Sequence, residues 1–342
     1  MIRSRPTIFV WFLSLALLTA DSLTVIGVGD IMMGTTYPEV RLPPQDGKFL
    51  FANLDTILPA ADLTLGNLEG PLLGGGTCTK TLVEGRSYAF RTPPGYAINL
   101  ARAGFDFVNL ANNHLDDFGP EGLDTTLQTL AAAGLAFGGP GGKTARFEVR
   151  GKKVEIVSFS FCAGTNSYFD VPLAQRIVAA KARLNDYVIV SLHGGGEGVK
   201  YMHTPDSFEY FLGWPRGNVV KFARAVIDSG ADLIWGHGPH VPRALELYRG
   251  RFIAYSLGNF CTWAGFNIDA ERSYAPILKV VLDSSGAFVS GRIYSCIQRP
   301  GSYLQLDSLR RAARLMQQLT IEDFPRSGPR ITDDGIILPS AE

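Results

Sequence analysis

Seven residues have the types and spacing to do chemistry together: Asp30, Glu69, Asn113, His114, His193, His237 and His240. They lie in five stretches: Gly29-Asp30-Ile31-Met32, Gly66-Asn67-Leu68-Glu69, Ala111-Asn112-Asn113-His114, Leu192-His193-Gly194-Gly195 and Gly236-His237-Gly238-Pro239-His240. Each stretch follows a short apolar run, and together they hold all but one of the chain's 5 histidines. Asp, Glu, Asn and neutral His are the ligand set of a hard-to-borderline divalent metal. Taken singly, Asp30 reads as a turn cap, Glu69 as a surface carboxylate, Asn112-Asn113 as a left-handed turn pair and His193 as a loop residue. Five separate strand ends that all carry ligand-type residues read instead as one metal-dependent site.

Positioning such a site falls to the elements in between. Apolar runs at 23–28, 63–65, 105–110, 187–192 and 233–235 read as strands, each ending on one of the five stretches. Residues 51–58, 96–103, 121–133, 171–184 and 218–229 read as helices, several closed by a glycine. This alternation predicts a parallel sheet with crossover helices, and ligands bind outside the C-terminal ends of such strands. Runs at 245–248 and 252–256, and at 275–282 and 288–296, flank tight turns and predict two added hairpins. A last helix is expected over 306–319, followed by a proline-rich, loosely held tail. No linker divides residues 21–300, which read as one domain, with 301–342 as a C-terminal helix and tail.

Composition narrows the function classes. The chain has 342 residues, 46% of them hydrophobic, and 32 basic against 32 acidic side chains. It therefore lacks the basic footprint of a nucleic-acid binder. Residues 1–20 read as an export signal: Arg3 and Arg5 precede an apolar stretch at 7–18, and Leu18-Thr19-Ala20 offers a cleavage site. That stretch is shorter than the ~20 residues of a membrane-spanning helix. The expectation is an exported protein, periplasmic or extracellular, or one retained at the membrane through an uncleaved signal. Cys78, Cys162, Cys261 and Cys296 show no CxxC spacing, which disfavours a cysteine-rich metal knuckle and leaves disulfides and buried thiols equally open. No P-loop and no Gly-x-Ser-x-Gly elbow is present, which disfavours ATP-driven ligation and serine hydrolysis.

The motifs Gly29-Asp30, Asn67-Leu68-Glu69, Ala111-Asn112-Asn113-His114-Leu115-Asp116-Asp117-Phe118-Gly119, Gly236-His237-Gly238-Pro239-His240 and Tyr255-Ser256-Leu257-Gly258-Asn259-Phe260 together resemble the CapA family. That family is linked to bacterial capsule and poly-γ-glutamate synthesis and is a branch of the calcineurin-like metallophosphoesterases. The resemblance implies an α/β fold, a single-domain metallophosphoesterase-like β-sandwich flanked by helices. It also implies one or two divalent ions (Mn, Fe, Zn or Mg). By position, Asp30 and His240 would hold the first metal, Glu69 would bridge, and Asn113, His193 and His237 would hold the second. His114 would act on the leaving group or steady the phosphate, with Asp117 orienting its ring. Two such cations neutralise phosphate oxygens in an in-line displacement.

The chain departs from the superfamily pattern where Met32 replaces an expected histidine. His203 is a candidate for that gap or a substrate contact. Asn259 and Arg243, with Arg86 and Arg91, are candidate contacts for an anionic substrate. Tyr201 and Trp214 are candidate pocket walls. Two main functions follow from the resemblance, with metal-dependent amide-bond chemistry on the polymer as a third. One is an exported metal-dependent hydrolase, of phosphoester bonds, in capsule or poly-γ-glutamate-like polymer biosynthesis. The other is a non-catalytic polymer-binding or export component. Expected partners are an anionic polymer or phosphoester and capsule or polymer synthase components at the membrane.

Overall fold

The structure is a computed structural model that describes residues 22–340. The expected export signal lies outside the described residues. The apolar strands are buried on both faces, which forces them into a layered core. In the first strand, Leu23–Met32, Val25 packs to one side with Leu63, Ile156 and Trp235, while Ile26 packs to the other with Leu54 and Leu100. In Tyr187–His193 the alternation repeats: Tyr187 and Ile189 face inward, and Val188, Val190 and Leu192 face the outer helices.

Two large sheets result, packed face to face with helices outside each, beside a small two-stranded sheet of Glu209–Phe211 and Trp214–Gly217. The first has the strand order Arg330–Ile331, Ile336–Leu338, Phe288–Ile297, Tyr274–Leu282, Leu23–Met32, Leu63–Leu68, Phe107–Asn109, Ala136–Gly138. Asn259–Thr262 also pairs in parallel with Leu23–Met32. The second runs Leu245–Tyr248, Arg251–Ala254, Leu233–His237, Tyr187–His193, Lys152–Ser160, Ala145–Val149. The helices Ala97–Ala103 and Gly119–Ala132 cover the first sheet, Val171–Ala182 and Val219–Ile227 cover the second, and Arg311–Asp323 packs against strands of both. The expected α/β sandwich flanked by helices is what forms, with a shared inner core that joins both sheets.

Local chemistry sets the helix ends. The Asp170 and Asn218 side chains accept hydrogen bonds from the Leu173 and Lys221 amides, capping two helix starts. Gly104, at φ 91°, closes the helix Ala97–Ala103.

Three expectations change. The helix expected over 51–58 is a 3-10 turn, Ala52–Leu54, followed by further turns; Pro59 ends it, and Phe51, Leu54 and Leu58 still bury. The last helix starts at Arg311, because the Asp307 carboxylate accepts from the Leu309 and Arg311 amides and fixes its first turn. The tail expected to hang loosely instead pairs through Ile336–Leu338 onto Phe288–Ile297, and Ile337 is fully buried there. All four cysteines are free thiols. Among the described residues no helix is long and apolar enough to cross a membrane.

Candidate metal centre

Strand register assembles the site. In the first sheet Asp30 pairs with Asn67 on one side and Asn259 on the other. In the second, His237 pairs with His193, which pairs with Ser160. The two sheets meet at these C-terminal ends, where the Trp235 indole donates across to the Val28 carbonyl (2.8 Å) and the Gly238 amide to Asp30 Oδ2 (3.3 Å). Such close approach requires glycine. A Cβ on Gly29 would lie 1.8 Å from the Gly258 carbonyl oxygen, and one on Gly236 would lie 2.3 Å from that of Tyr255.

At the centre, ligand atoms of Asp30, His193 and His237 all fall within 4.8 Å of one another, and all three residues are buried. His193 Nδ1 lies 3.0 Å from His237 Nδ1 and 3.7 Å from Glu69 Oε1. His193 Nε2 lies 3.0 Å from Asn113 Oδ1. The Ser191 hydroxyl engages His237 Nε2 (2.8 Å), which turns Nδ1 of that ring toward the cluster. His240 Nδ1 sits 2.9 Å from Asp30 Oδ2 and 3.1 Å from Asn259 Oδ1. His114 Nδ1 donates to Asp117 Oδ2 (2.7 Å), and His114 Nε2 points at Glu69 Oε2 from 3.5 Å. The Asp117 carboxylate is held further by Lys80 Nζ (2.7 Å) and the Phe90 amide (2.8 Å).

The protonation tendencies of His193 and His237 suit metal binding, whereas Glu69 and His240 favour their protonated forms until a cation displaces the proton. Burial and the charge on His240 push His237 down to about 3, and burial with His237 pushes His193 well below its ordinary value, so both rings are neutral donors. Burial, then the neighbouring Asp30 charge, raises Glu69 to about 8. Burial also disfavours charge on His240, but the adjacent Asp30 carboxylate outweighs it and lifts that ring to about 9. Glu69 Oε2 is buried with no hydrogen-bond partner. The Asp30 carboxylate and two imidazole nitrogens 3.0 Å apart fit a divalent cation, with the orphaned Glu69 carboxylate beside them. Asp30, Glu69, Asn113, His193 and His237 would hold it.

The structure thus brings together Asp30, Glu69, Asn113, His114, Asp117, His193, His237, His240 and Asn259. Other candidates go elsewhere. Arg243, fully buried, forks onto Glu209 (3.0 and 2.7 Å) and the Gly196 carbonyl (3.0 Å), so both its terminal nitrogens brace the glycine loop after His193, while its Nε stays buried without a partner among the described residues. His203 is largely exposed and bonded through Nδ1 to Asp323 (2.7 Å), so it does not fill the gap at Met32. Asn259 is spent on His240 and on the Arg272 carbonyl (3.2 Å), so it orients a ligand side chain and does not face solvent. Arg91 bonds Thr36 and the Gly76 carbonyl and lies over Tyr37 and Phe118. Trp214 is 70% exposed, and Tyr201 packs edge-on against Phe211.

Sequence reasoning passed over Asn67. Its amide nitrogen donates to both Asp30 Oδ1 and Glu69 Oε1 (2.7 Å each), and its oxygen accepts from Asn109 (2.7 Å) and Asn112 (3.0 Å). An asparagine at a strand end two residues before a ligand carboxylate was the available signal. Lys80 and Ser191 gave no local signal, because their partners are remote in sequence.

The sequence profile of the bacterial capsule synthesis protein PGA_cap family matches residues 24–263. The chain belongs to this family. It is 30% identical over 267 residues to the capsule biosynthesis protein CapA of Bacillus anthracis, covering 70% of this chain and 60% of that one. It is 31% identical over 258 residues to the PGA biosynthesis protein CapA of Bacillus subtilis, covering 70% and 63%. The chain therefore spans under two thirds of the length of these relatives. Among solved structures, the calcineurin-like phosphoesterase YfkN from Bacillus subtilis aligns at TM-score 0.39 and 13% identity, over 84% of this chain and 88% of that one.

Proposed function

We propose that this PGA_cap family member is an exported, metal-dependent hydrolase of phosphoester bonds that serves capsule or poly-γ-glutamate-like polymer biosynthesis. The observation that carries the reading is the buried Asp30, His193 and His237 cluster, with the orphaned Glu69 carboxylate oxygen beside it, set against the His114–Asp117 pair. A bound divalent metal would supply positive charge to polarise a phosphoryl group. The residues of the chain do the rest. Asp117 fixes the Nδ1–H of His114 and leaves Nε2 aimed into the site beside Glu69; burial lowers the pKa of this ring and the Asp117 charge opposes that, so Nε2 accepts a proton in the neutral ring and delivers one to a leaving oxygen only as the imidazolium. Lys80, also bonded to the Asn113 carbonyl (2.8 Å), keeps the Asp117 carboxylate charged and in place. Phe90 and Phe266 pack at 4.5 and 6.4 Å from the His114 ring and exclude water from that side.

Purified protein is expected to contain a divalent metal and to hydrolyse an aryl phosphate, with activity abolished by chelator. Asp30→Ala and His193→Ala should lose metal and activity together, and full activity in both would sink the assignment.

A second reading, a polymer-binding accessory component without turnover, is favoured by Met32. This fully buried thioether stands where the superfamily pattern places a histidine, and it leaves the Asp30–His240 half of the site with fewer ligands. It predicts metal binding and capture of an anionic polymer, with no hydrolysis by pure protein.

A further inference from the structure

With both terminal nitrogens of Arg243 bound to Glu209 and Gly196 and Arg91 held by Thr36 and Gly76, Arg216 is the arginine beside the metal centre whose terminal nitrogens keep donor capacity among the described residues. Arg216 sits on the strand Trp214–Gly217, paired with Glu209–Phe211 in a separate small sheet. It is 9% exposed, and its Nε is buried with no hydrogen-bond partner. Its single side-chain bond is from Nη2 to Glu197 (2.8 Å), in the glycine loop after His193. Its guanidinium lies 4.1 Å above the Phe161 ring and 5.5 Å from that of Phe211. The Phe161 ring is in turn 5.7 Å from the His193 imidazole, so a single side chain separates the cation from a ligand of the site. The platform is rigid. Tyr168 donates its hydroxyl proton to the Arg216 carbonyl and accepts from the Gly195 amide (3.4 Å), which ties the hairpin to the loop that carries Glu197.

A guanidinium stacked between two aromatic rings, most of its donors unspent, is pre-organised for an oxyanion. We propose that Arg216 binds an anionic oxygen of the substrate at the edge of the metal centre, and that Glu197 occupies the guanidinium until that anion replaces it. The ligand chemistry is an oxyanion, a phosphate or a carboxylate. This deepens the hydrolase reading by naming what the site selects, but its test needs no turnover.

The experiment is calorimetric titration of manganese-loaded full-length protein with inorganic phosphate and, separately, glutarate, together with metal analysis of each sample. Arg216→Gln is expected to weaken one of the two anions about tenfold or more, the size of a lost charge-assisted hydrogen bond, with metal content unchanged. The anion that weakens identifies the source. Arg216→Lys keeps a cation over Phe161 but loses the fork, so it should weaken the same anion at least about threefold, and it decides the matter if Arg216→Gln does not fold. Glu197→Gln should bind that anion as tightly as wild type or more tightly. Wild-type affinity for both anions in the arginine variants, or no binding of either anion by wild type, overturns the proposal. Absence of turnover in wild type with these shifts intact would instead overturn the hydrolase reading alone.

Discussion

At the scale of single residues, the site depends on groups that orient ligands as much as on the ligands. Asn67 is the case in point. Its amide stands between two carboxylates that would otherwise repel across a dry interior, and Asn109 and Asn112 lock its orientation. Asn67→Leu keeps the volume and removes the donor. Metal affinity should fall about 10- to 100-fold, the range for lost outer-shell partners, as read by competition with a chelating dye. His114 and Asp117 separate differently. Asp117→Asn should leave metal content intact while lowering aryl phosphatase turnover about 100-fold, the scale of general acid–base assistance. If metal content and turnover fell together, Asp117 would be supporting the metal loop and not the proton donor. Asp30, Glu69 and the three buried histidines were legible in the sequence because each ends an apolar strand. The fates of Arg243, His203 and Asn259 were not, because an arginine's partner is chosen by what lies across the fold.

At the scale of elements, two strand crossings bring the ligands together. Gly29 permits the chain at Gly258 to pass against it, and the parallel pair Asp30–Asn259 follows. Gly29→Ala should destabilise by about 3 kcal/mol, the upper end for overpacking, seen as a lower urea midpoint and a drop in bound metal. An unchanged midpoint would mean the Leu257–Gly258 segment can yield. The strand that delivers His237 starts beside Asp232, whose carboxylate accepts from the Val188 amide (2.8 Å) and pairs with Arg251 (3.3 Å). Burial outweighs both partners and raises Asp232 from 3.8 to about 6. The folded chain thus binds this proton more tightly than the unfolded chain. The group's contribution is greatest below about pH 4, declines as pH rises through the window to about 6, and is flat above it. The change is on the order of 3 kcal/mol at 1.36 kcal/mol per pH unit of window. Asp232→Asn should remove that slope from the pH dependence of unfolding free energy, and an unaltered slope would assign it to other carboxylates.

At the scale of the whole molecule, the two packed sheets and their flanking helices leave the C-terminal segment a structural task. Ile336–Leu338 extends the first sheet, and the helix Arg311–Asp323 packs against both core layers. Deleting residues 329–342 uncovers the strand Phe288–Ile297 and the buried sites of Ile331 and Ile337. The loss should be roughly 3 kcal/mol or more, at about 1.5–3 kcal/mol per buried side chain, with self-association through the bared edge. A truncated chain that stays monomeric with an unchanged midpoint would show the segment to be dispensable.

The five ligand-bearing strands, the crossover helices other than 51–58, the ligand types and the family were legible in the sequence alone, because apolar runs and strand-end chemistry are local patterns. Strand 23–32 and its counterparts declare themselves by β-branched, apolar residues whatever they pack on. Which side chains meet was decided only by the tertiary structure. The split of the strands into two sheets, the Asn67 bridge, the Lys80–Asp117–His114 chain and the withdrawal of Arg243 into a buried pair join residues far apart in sequence. Their energies come from burial and from partners across the fold, and no local window contains either.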